Sequence, residues 1–159
     1  MKNCRSCGSD SLEMLLDLGD QPWCNDFLTK DRIGKEKKYP LRLCYCKDCE
    51  LLQLDHTVPK ETMFADHQYL SGMTLINHFF EVAKENVQQF DMLSDDLVVD
   101  IGGNDGSQLL QYKKAGINNV LNIESAKRVS QISKDAGVRT VNKFFNEELS
   151  VLNEEISFC

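Results

Sequence analysis

Four cysteines arranged as two Cys-x-x-Cys pairs constrain the fold of this chain more than any other feature. The pairs are Cys4 with Cys7 and Cys46 with Cys49. One such pair can turn two thiolates towards a single ion, and two pairs complete the tetrahedral four-sulfur shell that Zn²⁺ prefers. The pattern predicts one structural zinc site held by these four residues. The alternatives are a pair of redox dithiols or four unrelated buried thiols.

The segment between the two pairs is long for a compact zinc ribbon. It holds 38 residues, from Gly8 to Tyr45, against roughly 15 to 20 in the compact form. The segment must therefore fold back on itself, and its glycines and prolines supply turns for this. Its apolar residues are predicted to pack beside the metal: Leu15, Leu16, Leu18, Trp23, Phe27, Leu41 and Leu43.

Length, composition and charge limit the class of protein. The chain has 159 residues and 42% hydrophobic content, which suits one ordinary globular domain or two small ones. It shows neither an apolar signal region nor a run long enough to cross a bilayer, so we expect a cytoplasmic protein without a membrane partner. The net charge of −7 argues against a nucleic-acid partner, because Lys and Arg drive phosphate binding.

The character of the sequence changes twice along the chain. Residues 1–58 are predicted to be a zinc-binding domain, and residues 59–93 a connecting segment with an amphipathic helix. In residues 94–159 the pattern predicts strands at 97–101, 119–123 and 138–141, separated by helices at 107–115 and 126–136. This order is the first half of a doubly wound parallel sheet. The predicted fold is therefore an α+β zinc module followed by an α/β, Rossmann-like half-sheet.

A glycine loop, Asp100-Ile-Gly-Gly-Asn-Asp-Gly106, follows the first predicted strand of this half-sheet and opens a helix. Open α/β sheets bind ligands at this place. Gly102 and Gly103 would let the backbone approach a ligand closely. A dinucleotide site is the first alternative, but the Gly-x-Gly-x-x-Gly spacing is absent, and Asp100 and Asp105 would repel a pyrophosphate. The carboxylates favour S-adenosylmethionine, which carries a sulfonium and an ammonium group and no phosphate.

Glu124 ends the second predicted strand of the half-sheet. In such folds an acid at this position accepts hydrogen bonds from both ribose hydroxyls. NAD sites share this feature, so Glu124 indicates a ribose rather than one particular cofactor. The alternative is a solvated carboxylate at a strand end.

The chain resembles the sugar C-methyltransferases, which are S-adenosylmethionine-dependent enzymes of deoxysugar biosynthesis with an N-terminal zinc-binding domain and a class I methyltransferase domain. The likeness extends over nearly the whole chain. It is carried by Cys4-Arg-Ser-Cys7-Gly, Leu18-Gly-Asp-Gln-Pro-Trp-Cys-Asn-Asp-Phe27, Tyr39-Pro-Leu-Arg-Leu43, Cys46-Lys-Asp-Cys49 through Leu54, Phe64 to Gly72, and Ile101-Gly-Gly-Asn-Asp-Gly106.

The resemblance implies roles for particular residues. Tyr69 matches an active-site tyrosine of that family and is the catalytic candidate, although it could instead pack with Phe64. Ser71 lies near it as a candidate cofactor contact, with helix capping as the alternative. The implied S-adenosylmethionine site comprises Asp100, Gly102, Gly103, Asn104, Asp105, Gly106, Glu124 and Ser71.

The activity implied by the resemblance is methyl transfer to a sugar carbon beside the ketone of a nucleotide-linked 4-keto deoxysugar. The principal acid and base residues of that family follow its third strand, so we expect a C-terminally truncated portion with little activity of its own. A second hypothesis is a non-catalytic zinc-containing module whose open third strand is completed by a partner chain or by a homo-oligomer. A third, a zinc-ribbon adaptor for nucleic acid, conflicts with the acidic charge.

Overall fold

The computed structural model describes residues 2–24, 27–64, 70 and 75–146. The chain divides into two compact units, Met1–Pro59 and Lys60–Cys159. Each unit is considered on its own below. The finer division predicted from the sequence, with a boundary between residues 93 and 94, stays a prediction.

The first unit is built on a three-stranded antiparallel sheet. Its strands, in the order β1-β2-β3, are β1 (Leu12–Pro22), β2 (Lys38–Cys46) and β3 (Leu52–Leu54). Leu12 of β1 pairs with Cys46 of β2, and Gln21 pairs with Tyr39. The long segment between the cysteine pairs therefore folds back on itself, as its turn residues predicted, and returns its far end to the first pair.

Two expectations for this unit are corrected by the sheet. Its described residues, 2–24 and 27–59, form strands and turns without a helix, so this unit is a β-module rather than α+β. The antiparallel pairing of β1 with β2 takes up about half of the segment between the cysteine pairs. Leu15, Leu16 and Leu18 are about half exposed, and Phe27 is 90% exposed. Their predicted packing beside the metal is therefore wrong, because β1 carries the leucines along the sheet and away from Cys46.

The second unit alternates helices and strands around a three-stranded parallel sheet. Its elements are α1 (Lys60–Phe64), α2 (Ile76–Gln89), β4 (Val98–Ile101), α3 (Ser107–Lys114), β5 (Val120–Ile123), α4 (Lys127–Asp135) and β6 (Arg139–Val141). The sheet order is β4-β5-β6, with Val98 of β4 beside Val120 of β5 and Leu121 of β5 beside Arg139 of β6. The predicted alternation and parallel sheet are confirmed, whereas a complete Rossmann-like domain stays a prediction.

Strand β5 is the centre of this unit, and all four of its residues are buried. A strand that is buried along its whole length is typical of a parallel sheet covered on both faces. Helices α2 and α3 pack together, and the Asn86 side-chain amide donates to the Tyr112 hydroxyl at 2.5 Å. Every helix in the described part of the chain is too short or too polar to span a membrane.

Candidate metal centre and ligand cleft

The four paired cysteines meet at one end of the sheet in the first unit. The Sγ atoms of Cys4, Cys7, Cys46 and Cys49 all lie within 4.8 Å of one another. The distance between the two Sγ atoms is 3.5 Å for Cys4 and Cys49 and 3.6 Å for Cys7 and Cys46. Four sulfurs held about 2.3 Å from a central Zn²⁺ would stand roughly 3.8 Å apart. The set therefore fits a tetrahedral zinc ion and is too widely spaced for disulfides.

Each cysteine pair forms the same backbone turn. The Gly8 N–H donates to the Cys4 carbonyl oxygen at 2.9 Å, and the Glu50 N–H donates to the Cys46 carbonyl oxygen at 2.9 Å. Both turns end in the left-handed conformation, with φ of 78° at Gly8 and 63° at Glu50. The turns point the two thiols of each pair to one side, so that the four together can surround one ion.

Gln53 of β3 supports the first turn, and the sequence reasoning missed it. This side chain is only 4% exposed. Its Oε1 accepts the Arg5 N–H at 2.9 Å, and its Nε2 donates to the Asn3 carbonyl oxygen at 3.4 Å. The sequence feature that could have indicated this role is a single polar residue, Gln53, between Leu52 and Leu54 in a short strand. Gln53 therefore ties the strand that follows the second pair to the turn of the first.

The four clustered thiols differ in acidity. The Ser9 backbone N–H lowers the pKa of Cys7, but hydrogen bonding with Cys49 and the other clustered thiols, together with burial, outweighs it and raises that pKa to about 12. The Cys7 backbone N–H, helped by that of Ser6, stabilises the thiolate of Cys4 and lowers its pKa to about 6 despite burial. The lowered pKa of Cys4 favours its thiolate, which is the form that binds metal. The remaining thiols lose their protons when the ion binds, so metal affinity falls as the pH is lowered.

A cleft of about 320 Å³ opens at the carboxyl ends of the strands in the second unit. This volume lies at the lower end of the range for small-molecule sites. Three predicted ligand residues line it, namely Gly102, Asn104 and Glu124. The remaining lining residues, which the sequence reasoning did not assign, are Phe64, Ile101, Ile123, Ser125, Lys143, Phe144 and Phe145. Most of them end a strand or follow one, so the strand-end rule could have found them.

Glu124 is 8% exposed and faces the glycine loop. Its Oε2 accepts the Asn104 N–H at 2.9 Å, and its Oε1 accepts the Ala126 N–H at 2.7 Å. An ionised carboxylate has about four acceptor sites; Oε1 also accepts the Ser125 hydroxyl at 3.5 Å, so Oε2 is the oxygen that keeps capacity for a further donor. Glu124 can therefore hold the loop and accept ligand hydroxyls at the same time.

The glycines of the loop are required by its geometry. Gly102 and Gly106 have φ of 79° and 78°, a conformation that side chains disfavour. At Gly103 an added Cβ would lie 2.6 Å from Asn122 Oδ1 and 2.8 Å from Asp100 Cγ, so only glycine fits there. The loop thus lies tightly against the strand ends, as the sequence predicted.

The two acids of the loop occupy different environments. Burial, and then the nearby charge of Glu124, raise the pKa of Asp100. The Asp105 carboxylate accepts the Ser107 N–H at 3.1 Å, at the start of α3, and is 9% exposed. Among the described residues, neither acid lines the cleft, and nor do Gly103 and Gly106. Their contact with a ligand stays a prediction.

Tyr69 and Ser71 lie outside the described residues. The catalytic role predicted for Tyr69 and the cofactor contact predicted for Ser71 therefore stay predictions. The structure brings together the strand-end part of the predicted site, Gly102 with Asn104 and Glu124.

Comparison with known proteins bears on both units. Residues 4–64 match a family model described as "Putative zinc binding domain". The chain is also 28% identical, over 157 residues, to C-methyltransferase NovU of Streptomyces niveus. That match covers 97% of this chain and 36% of the relative, so the chain spans about a third of the relative's length. Residues 4–64, with their four clustered thiols, are therefore similar to this zinc-binding domain, and the chain as a whole is similar to part of a C-methyltransferase.

Proposed function

We propose that the second unit binds S-adenosylmethionine and that the chain belongs to the machinery of a C-methyltransferase acting on a nucleotide-linked 4-keto deoxysugar. The observation that carries the cofactor proposal is the position of Glu124. It lines a cleft at the carboxyl end of the central strand and faces the glycine loop across a hydrogen bond of 2.9 Å. The sugar substrate rests on the family resemblance alone.

The cleft suits the adenosine part of such a cofactor. Ile101 and Ile123 supply apolar walls, and Phe144 and Phe145 add aromatic surface on which a base can stack. Glu124 supplies acceptors for ribose hydroxyls. These groups would hold the nucleoside and exclude water from it.

The charge of the cleft fits a cationic ligand better than a pyrophosphate. Glu124 lies in the lining and Asp100 lies behind the loop, while exposed Lys143 offsets part of their charge. A pyrophosphate would contact the carboxylate of Glu124, with the carboxyl group of Asp100 behind the loop and Lys143 as the single cation that the described residues contribute to the lining. The sulfonium of S-adenosylmethionine would supply an electrophilic methyl group. The residues that line the cleft would bind and orient the rest of the cofactor. Tyr69 stays the catalytic candidate that the resemblance implies.

Calorimetric titration of S-adenosylmethionine into the zinc-loaded chain tests this proposal. Glu124→Gln should weaken binding about tenfold or more, because a hydrogen bond to a charged acceptor contributes about 1.5–3 kcal/mol. Glu85→Gln, which removes the same charge from an exposed position on α2, is the matched control and should bind like the native chain. Unchanged affinity in Glu124→Gln, or tighter binding of NAD than of S-adenosylmethionine, would contradict the assignment.

A second candidate is a binding module whose sheet is completed by a partner chain. Within the described residues the third strand, β6, pairs with β5 alone, and so does β4, whose Val99 and Ile101 are 40% and 55% exposed. An open apolar edge of this kind favours strand pairing with another chain. Sedimentation velocity should then show a dimer at micromolar concentration, whereas a strictly monomeric folded chain would count against it.

Location and the remaining partner expectations stay predictions. The cytoplasmic location rests on reduced thiols, which suit metal binding in that compartment. The absence of nucleic-acid binding rests on the net charge of −7. Failure of the purified chain to retard any oligonucleotide at low salt would agree with it.

A further inference from the structure

Asn122 lies in the central strand β5 and is fully buried. Its Nδ2 donates to the Asn104 carbonyl oxygen at 2.9 Å and to Ser133 Oγ at 2.9 Å. A carbonyl oxygen can only accept, so the nitrogen of the amide must face Asn104. The orientation of the Asn122 side chain is therefore fixed by its partners.

The second hydrogen bond of Asn122 begins a directed chain. The Thr140 hydroxyl donates to the Val138 carbonyl oxygen at 2.9 Å, so the Ser133 hydroxyl donates to Thr140 Oγ1, also at 2.9 Å. Ser133 in turn accepts from Asn122. This chain anchors the Asn122 amide to α4 and β6 and leaves its other N–H directed at the glycine loop.

Asn104 is held at both its backbone groups by residues of one strand end. Its N–H donates to Glu124 Oε2, and its carbonyl accepts from Asn122 Nδ2. Residues two apart in an extended chain point to the same side, which is why Asn122 and Glu124 both reach the loop. Asn104 has a φ of 52°, an uncommon conformation for a residue with a side chain. Two hydrogen bonds therefore hold a strained residue that lines the cleft.

The carbonyl oxygen of the Asn122 side chain, unlike its nitrogen, makes no hydrogen bond to a described residue. Within the described residues Oδ1 is buried and without a hydrogen-bond partner. It lies against the loop, 2.6 Å from the position that a Cβ on Gly103 would take. Burying an unpaired acceptor is unfavourable, so an apolar residue would suit the strand better unless the amide nitrogen were needed. The need that the structure shows is the Asn104 carbonyl.

We propose that Asn122 is a positioning residue of the ligand cleft, which holds the Asn104 carbonyl and thereby keeps the glycine loop in its ligand-binding shape. It lies behind the loop and outside the lining of the cleft. The expected effect of Asn122 on cofactor affinity rests on the proposed binding of S-adenosylmethionine. The effect of Asn122 on the loop can be observed without any ligand.

The test compares Asn122→Ala and Asn122→Val with the control Ser133→Ala. The control breaks the link to α4 but leaves the donor to Asn104 in place. Two quantities are measured on the zinc-loaded 159-residue chain, namely S-adenosylmethionine affinity by calorimetry and amide exchange at Asn104 by NMR. The second Asn122 variant adds a residue with high strand propensity, in case the alanine variant does not fold.

We expect both Asn122 variants to bind S-adenosylmethionine about tenfold more weakly and to exchange the Asn104 amide about tenfold faster. Ser133→Ala should stay within about twofold of the native chain in both measurements while losing thermal stability. Native affinity and protection in the Asn122 variants would overturn the proposal. So would an equal loss in Ser133→Ala, which would mean that the polar chain acts only on stability. If the native chain binds no S-adenosylmethionine but Asn104 protection still depends on Asn122, the cofactor proposal fails and the positioning role stands.

Discussion

Glu50 and Gly8 occupy equivalent positions in the two cysteine turns, and both have the left-handed backbone conformation that favours glycine. The φ of Glu50 is 63°, against 78° at Gly8, and each residue donates its N–H to the carbonyl of the first cysteine of its pair. The Glu50 side chain is exposed. Replacing Glu50 with glycine should therefore remove backbone strain, and Gly8→Ala should introduce it. An added Cβ at Gly8 meets nothing within 4 Å, so the effect of Gly8→Ala comes from the backbone conformation and not from a steric clash.

The magnitude follows from the conformation alone. A side chain in the left-handed region costs roughly 1–2 kcal/mol. Glycine gives back about 0.5–1 kcal/mol because it loses more chain entropy on folding. The net gain in the free energy of unfolding for Glu50→Gly is about 1 kcal/mol, and the loss for Gly8→Ala is similar. In a unit of this size that corresponds to a shift of about 4–8 °C in Tm.

Thermal unfolding followed by circular dichroism, at a zinc activity fixed by a chelator buffer, measures this effect. Because metal binding and folding are coupled in such modules, Glu50→Gly should also bind zinc about fivefold more tightly in competition with a chelating dye. Glu50→Ala is the control, since it removes the charge but keeps the Cβ, and its Tm should stay close to native. A lower Tm in Glu50→Gly, or an equal gain in Glu50→Ala, would refute the strain argument.

Three further outcomes are expected. Cys46→Ser should lose zinc and unfold the first unit, as seen by metal analysis and circular dichroism; retention of one zinc per chain would contradict the four-sulfur site. Asp100→Asn should stabilise the chain at pH 7 in urea titrations. Burial raises the pKa of Asp100, so the ionised carboxylate lowers the free energy of unfolding above that raised pKa. The stability difference between the variant and the native chain should therefore shrink as the pH falls towards 4 or below, where the carboxyl group becomes protonated in both the folded and the unfolded state. A constant difference across that range would exclude the ionisation of Asp100 as the cause of the difference. Gly103→Ala should lose about 1–3 kcal/mol through its 2.6 Å contact with Asn122 Oδ1, and native stability in denaturant would show that the loop relaxes freely.

The parts of the site that could be predicted were those encoded by local spacing. Two residues between cysteines suffice to direct two thiols to one ion, and the structure brings all four Sγ atoms within 4.8 Å. The strands and glycine loop of the second unit were also predictable, because hydrophobic periodicity and glycine act over a few residues. Gly102, Asn104 and Glu124 meet at the cleft for this reason.

The supporting amides could not be predicted in the same way. Gln53 and Asn122 each look like a polar interruption in a short strand, and nothing next to them in sequence identifies a partner. Gln53 contacts Arg5, 48 residues away, and Asn122 contacts Asn104, 18 residues away. Such bonds depend on which strand lies beside which loop, and that is a property of the assembled sheet.

The amino-acid sequence by itself determined the zinc ligands, the alternation of strands and helices, and the place of the ligand loop, because each depends on chemistry within a few neighbouring residues. The tertiary structure alone decided the register that returns Cys46 to the first cysteine pair, the exposure of the β1 leucines, and the buried amides behind each site. Those features arise from pairing between distant segments, in which a shift of one residue would turn every side chain to the opposite face.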